Sequence, residues 1–223
     1  MKAAQSFKCI FSAVALALFI RLVVVSVLKV PTSTMAPALM PGDFIIASKL
    51  SYGLKFPWQP EGYFESRPQV GDIVVFKLKN KPGSLFVKRI VAQPGDSVQI
   101  AQSILRINNA ACEYKETTRP DLTLEAFAVF EERCSNQVTR QVIRGLNEQI
   151  LAKSAEIKTV PDNEYYLLGD NRETSEDSRQ FGTVHRDQII GKVKMVAVSV
   201  SSTQDSISKE KGFRSDRFLT FVY

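Results

Sequence analysis

The side chains that could do chemistry in this sequence are hydroxyls and lysines rather than histidines. The only histidine, His185, follows Gly182-Thr183-Val184 in a turn-like stretch. No Gly-x-Ser-x-Gly elbow occurs anywhere, so a serine triad has nothing to build on and His185 reads as a surface side chain. The other general way to activate a hydroxyl is a buried lysine. Burial removes hydration from the ammonium, lowers its pKa from about 10.4 toward neutrality, and leaves an amine able to take a proton. Such a lysine should lie in an apolar strand. Lys88 does, within Leu85-Phe86-Val87-Lys88-Arg89-Ile90-Val91, where alternation puts Phe86, Lys88 and Ile90 on one face and Val87, Arg89 and Val91 on the other. Pattern alone leaves an exposed lysine as the ordinary reading of the same residue.

Around that strand the chain reads as mainly β. Asp43–Ser48, Asp72–Lys77, Phe86–Ala92, Ser97–Ile107, Glu164–Leu168 and Ile189–Val200 are short alternating or β-branched runs, punctuated at Pro41-Gly42, Gly71-Asp72 and Pro94-Gly95-Asp96. Such spacing predicts a coiled sheet or barrel. From 111 to 160 the pattern weakens. Leu124–Arg133 fits an amphipathic helix or a strand, and the charged, glutamine-rich Asn136–Lys158 reads as an excursion from the core. Ser201–Lys211 reads as a flexible exit, and Phe218–Tyr223 is apolar enough to dock back.

The N-terminus carries a different signal. Between Lys8 and Lys29 the chain is apolar but for one charge, Arg21; as a helix this run would be about 30 Å long, a hydrocarbon thickness, which predicts a transmembrane anchor over 9–29. Lys2 and Lys8 precede it without an acidic residue, which predicts residues 1–8 in the cytoplasm and 30–223 outside. The small-x-small triplets lie inside the run, too early for a cleavage site, so a retained anchor is expected rather than a removed leader.

Composition sets the remaining bounds. With 223 residues, 44% hydrophobic and 23% charged, the chain can bury one full core. The net charge of +6 is spread along the sequence with no dense basic run, which argues against nucleic acid and weakly for a membrane surface. Cys9, Cys112 and Cys134 show no paired spacing, so no metal site is expected. Cys112 and Cys134 read equally well as a disulfide or as two thiols. Phe56-Pro57-Trp58 is either an interfacial dip or a packed corner.

Four segments, in order, resemble the type I signal peptidase family. Val30-Pro31-Thr32-Ser33-Thr34-Met35-Ala36-Pro37-Ala38-Leu39 resembles its nucleophile segment. Pro41-Gly42-Asp43 with Lys49-Leu50-Ser51-Tyr52-Gly53 resembles the strand and Lys-x-x-Tyr-Gly stretch that follow. Gly71-Asp72-Ile73-Val74-Val75-Phe76, then Val87-Lys88-Arg89-Ile90-Val91 and Pro94-Gly95-Asp96, resembles the segment of the general-base lysine. Gly169-Asp170-Asn171-Arg172-Glu173-Thr174-Ser175-Glu176-Asp177-Ser178-Arg179 is similar to the Gly-Asp-Asn-Arg box.

The resemblance implies a membrane-bound peptidase that removes signal peptides from exported preproteins by a hydroxyl/lysine dyad, without a cofactor. It places the chain in the bacterial cytoplasmic membrane as a single-pass protein, with signal peptides, membrane lipid and the export machinery as partners. Lys88 falls on the general base and Ser175 on the serine that hydrogen-bonds and orients it. Asp177 and Arg179 fall on the supporting polar pair. The nucleophilic serine falls on Thr34 and the oxyanion-hole serine on Thr32, and both are departures from the pattern. Ser33 is the only neighbouring serine. In an extended segment Thr32 and Thr34 share a side while Ser33 faces away, which favours Thr34. The alternative implied by the departures is an impaired paralogue that binds signal peptides or a partner peptidase.

Overall fold

The computed structural model describes residues 10–15, 20–56, 59–63, 66–101, 104–122, 127–134, 139–145, 156–201, 207 and 211–222. The strands in chain order are β1 Val25–Lys29, β2 Asp43–Ser48, β3 Leu54–Phe56, β4 Gln59–Tyr63, β5 Ile73–Phe76, β6 Phe86–Ala92, β7 Ser97–Ala101, β8 Ile104–Ile107 and β9 Ala110–Ala111. They continue with β10 Glu113–Thr117, β11 Phe127–Arg133, β12 Thr139–Gly145, β13 Lys158–Thr159, β14 Glu164–Leu168, β15 Val184–His185, β16 Ile189–Ser201, β17 Gly212–Phe213 and β18 Thr220–Phe221. A short helix, labelled α1, covers Ser178–Phe181, and residues 10–15 are helical as well.

A sheet in the order β1-β2-β16-β5-β6-β14-β15, with β17 and β18 added on β16, carries the framework. It curls into a half-barrel, as the spacing of strands and turns predicts. The 13-residue β16 is where it bends: its pairing with β5 and β2 slips at Ile189/Gly191, Val193/Met195 and Val196/Val198, and each slip adds local twist. Gly191 is required there, because a Cβ would lie 2.5 Å from the Ser48 carbonyl oxygen. β5 is buried on both faces. Ile73 and Val75 pack with Val30, Met35, Leu39 and Ile45, while Val74 and Phe76 pack with Tyr52, Ile90, Leu167 and Val184.

The described residues between 110 and 160 form a second layer of strands, and much of the Asn136–Lys158 stretch lies outside the described residues. β10-β11-β12 form a three-stranded sheet and β13-β7-β8-β9 a four-stranded one. The undecided Leu124–Arg133 stretch is strand over Phe127–Arg133, paired on both edges. The single strand expected over Ser97–Ile107 is instead a hairpin, β7 against β8. The cause lies in the side-chain phase: Val98 and Ile100 share one alternation phase, Leu105 and Ile107 the other, and only a reversal puts all four in one core. Cys112 and Cys134 are joined as a disulfide within that core. The final segment docks back as expected, with Thr220 and Phe221 paired to Val196 and Met195.

The anticipated anchor over 9–29 is corrected at its C-terminal end. Val25–Lys29 is a strand in register with β2, from Val25 against Ser48 to Lys29 against Phe44. The β-branched run Val23-Val24-Val25 and Val27 favours extended backbone once a sheet edge is available. A π-helical turn, Ile20–Val24, leads into it. Among the described residues no helix is long and apolar enough to cross a membrane. Residues 1–9 and 16–19 of the anticipated cytoplasmic end and anchor, the Pro57-Trp58 dip and most of the 201–211 exit lie outside the described residues.

Candidate active site

Lys88 occupies the middle of β6, between β5 and β14. Val74 stands opposite it on β5, and Phe86 and Ile90, which share its face, pack with Val74, Phe76 and Leu167. The side chain is therefore enclosed, only 3% exposed, and the exposed-lysine reading is excluded. Burial pushes its pKa down from the ordinary 10.5 to about 8; the carboxylates of Asp177, Asp170 and Glu176 pull it back up, and the Arg179 guanidinium pushes it down. Two of those carboxylates are engaged by guanidiniums, Asp170 by Arg89 and Asp177 by Arg179.

The register of the sheet brings the distant box to this lysine. β14 pairs with β6, Leu167 opposite Ile90 and Leu168 opposite Arg89, so the chain leaves the sheet at Gly169 beside Lys88. Arg89, on the reverse face, donates from Nε and Nη2 to the Asp170 carboxylate at 2.8–3.2 Å and from Nη1 to the Gly71 carbonyl at 2.8 Å. Both partners are buried, and the pair ties β6 to the start of the turn. Asp177 caps α1 and accepts from the Gly169 N–H at 3.1 Å and from Arg179 Nε and Nη2 at 2.8 and 2.9 Å. Arg179 also donates to the carbonyls of Arg172 and Ser175. Asp177 and Arg179 thus close the turn that carries Ser175.

Gly169 is the point of closest approach. A Cβ there would sit 2.2 Å from Ser175 Oγ and 2.6 Å from the Thr34 carbonyl oxygen. The Asn171 N–H donates to that same Thr34 carbonyl at 3.2 Å. Only glycine lets the Ser175 side chain and the Thr34 backbone share this spot.

Thr34 lies in a turn after β1 rather than in an extended strand, with Ala36 N–H donating to the Ser33 carbonyl and Leu39 N–H to the Met35 carbonyl. Met35 and Leu39 are buried in the core and fix the turn from below. The Thr32 and Thr34 hydroxyls nevertheless face the same way, 3.3 Å apart. Both residues line a groove of about 330 Å³ together with Lys88, Phe86, Leu28 and Glu176. Ser33 is not among its lining residues.

One anticipated contact is not formed. Among the described residues Ser175 Oγ makes no hydrogen bond, to Lys88 or to any other group, although it is fully buried. Its side chain packs onto Gly169, so a buried hydroxyl stands unpaired beside the turn that adjoins Lys88. His185 is half-exposed and accepts from the Asp187 N–H, a surface residue that is not among those lining the groove.

Sequence reasoning missed the ion pair Arg89–Asp170 and the second layer behind the box. Arg172 donates from Nη1 and Nη2 to Glu132 on β11 at 2.6 and 2.7 Å and from Nε to the Gly169 carbonyl at 3.1 Å. Arg89 and Asp170 each flank a motif residue, and that adjacency was the available signal. Nothing local marks Glu132.

Comparison with known proteins gives a consistent set of relatives. Residues 3–198 match the family described as signal peptidase, peptidase S26. The chain is 31% identical to a signal peptidase I of Rickettsia canadensis, covering 90% of this chain and 82% of that one. It is 30% identical to one of Buchnera aphidicola, covering 86% and 76%, and 29% identical to one of Pseudomonas fluorescens, covering 86% and 71%.

Proposed function

The chain belongs to the peptidase S26 family of signal peptidases, and on that premise we propose that it cleaves signal peptides from exported preproteins with Thr34 as nucleophile and Lys88 as general base. The observation that carries this reading is a lysine 3% exposed, its pKa lowered to about 8, lining one groove with a pair of aligned threonine hydroxyls. A neutral Lys88 amine takes the proton from Thr34 Oγ1 as the oxygen attacks the scissile carbonyl. The Thr32 hydroxyl, with backbone N–H groups, stabilises the oxyanion. Lys88 then protonates the leaving amine, and water deprotonated by the same amine releases the acyl group from Thr34. Ser175 positions Lys88 by a hydrogen bond made once substrate orders the groove, for catalytic hydrogen bonds commonly tighten in the complex. No cofactor enters these steps.

The substrate is a peptide with small residues at the Ala-x-Ala positions, laid as an added strand along the groove. The enzyme is held in the bacterial cytoplasmic membrane by the segment preceding β1, with the β domain on the outer face, next to membrane lipid and the export machinery. Threonine in place of serine lowers the rate. A methyl group restricts χ1 and crowds a site shaped for a smaller side chain, worth roughly ten- to a thousandfold.

The test is cleavage of a preprotein bearing an Ala-x-Ala signal peptide by the purified chain in detergent, alongside Thr34→Ala and Lys88→Ala. Product from the native chain and none from either variant supports the reading. Absence of native cleavage with recovery in Thr34→Ser transfers it to a binding paralogue.

A further inference from the structure

The buried carboxylate of Glu132 lies at the joint between the β10-β11-β12 sheet and the Gly-Asp-Asn-Arg box. It is fully buried, and four donors meet on it: Arg172 Nη1 at 2.6 Å, Arg172 Nη2 at 2.7 Å, Arg140 Nε at 2.6 Å and the Tyr114 hydroxyl at 2.7 Å. Burial alone would raise this carboxyl, but Arg172 and Arg140 hold it well below the carboxylate range, so it stays charged. The remaining Arg172 donor, Nε, reaches the Gly169 carbonyl. The backbone is stitched at the same place: Ile143 N–H donates to the Asp170 carbonyl and Arg172 N–H to the Ile143 carbonyl. Ala36 and Met40, just past Thr34, pack on Val129 and Ile143 of the same sheet.

We propose that Glu132 is a positioning residue of the hydrolytic site, acting through Arg172 to fix Gly169 and hence the turn that seats Ser175 and holds the Thr34 carbonyl. The proposal rests on the functional reading above and adds to it that the second sheet is part of the catalytic machinery. A guanidinium clamped by a bidentate carboxylate has its third direction fixed, so the Gly169 carbonyl has a rigid donor. Removing the carboxylate's charge frees Arg172, and Gly169, Ser175 and Thr34 loosen together. A displacement on the order of 1 Å at such a site costs about a hundredfold in rate.

The experiment compares the native chain with Glu132→Gln by two readouts. The first is amide hydrogen exchange at Asn171, whose N–H reports directly on the bond to Thr34, with the amides of β5 and β6 as reference. The second is steady-state cleavage of the preprotein. Expected are exchange at Asn171 faster by about tenfold or more with β5 and β6 unchanged, kcat lower by roughly ten- to a hundredfold, and KM within about twofold. Unchanged exchange at Asn171, exchange accelerated equally in β5 and β6, or an unchanged kcat beside a loosened Asn171 each overturns the proposal. If the native chain itself does not cleave, the functional reading fails, and exchange at Asn171 still decides whether Glu132 fixes the turn. Should Glu132→Gln not fold, Glu132→Asp keeps the charge, withdraws the carboxylate by one methylene, and is expected to act in the same direction.

Discussion

Strands β6 and β11 are both seven residues long and each buries a charged side chain, yet the two sites are opposites. Lys88 on β6 has neighbours of both signs, so burial wins and its pKa falls to about 8. Glu132 on β11 is met by two guanidiniums and a phenol, so the partners win and it stays ionised. The difference lies in protonation: a buried charge with few partners is poised to change protonation state, whereas one given every partner becomes a fixed joint.

Removing the buried lysine should have the largest effect. Lys88→Ala is expected to lower cleavage by at least about a thousandfold with the protein still folded, read in the preprotein assay. Acidification tests the same group without mutation. In the proposed mechanism only the neutral amine acts, so kcat/KM should rise about tenfold per pH unit below about 8 and level off above it; a profile flat from pH 6 to 9 would remove Lys88 from the mechanism. Thr34→Ser should raise the rate by about tenfold or more, the methyl crowding being relieved.

Smaller effects fall on stability. The Cys112–Cys134 bridge, closing a separation of 22 residues, belongs to the second layer, and Cys112→Ala with Cys134→Ala should cost about 2–4 kcal/mol in denaturant unfolding. Lys88 acts in the reverse direction. Its folded pKa is depressed, so between about 8 and 10.5 the unfolded chain holds more protons and stability rises with pH; below that window the full penalty is present. Lys88→Met should therefore gain about 1–3 kcal/mol at neutral pH, with the pH dependence across that window reduced.

The two strands also differ in how much of them the sequence displays. β6 announces itself through alternation inside a motif, and its partner β14 ends in the Gly169 box, so the family motifs alone group Lys88 with Ser175, Asp177 and Arg179. The half-barrel follows from strand spacing for the same reason: most neighbours in the core sheet are short apolar or β-branched runs bounded by turns. β11 offers Phe127-Ala128-Val129-Phe130-Glu131-Glu132-Arg133, in which nothing distinguishes Glu131 from Glu132. Only tertiary pairing with Arg172, forty residues on, makes Glu132 the buried hub. The end of the anchor is misplaced by sequence reasoning because a β-branched apolar run is compatible with helix and strand alike until β2 supplies an edge to pair with.

The central claim is chemical: an oxygen on Thr34 carries the acyl group, and Lys88 puts it there. The most direct measurement is acid quenching of the native chain during turnover of a preprotein, followed by digestion and mass spectrometry of the segment holding Thr32, Ser33 and Thr34. The prediction is an ester-linked signal peptide on Thr34, absent in Lys88→Ala. An adduct on Ser33, or steady cleavage that persists in Thr34→Ala, would contradict it.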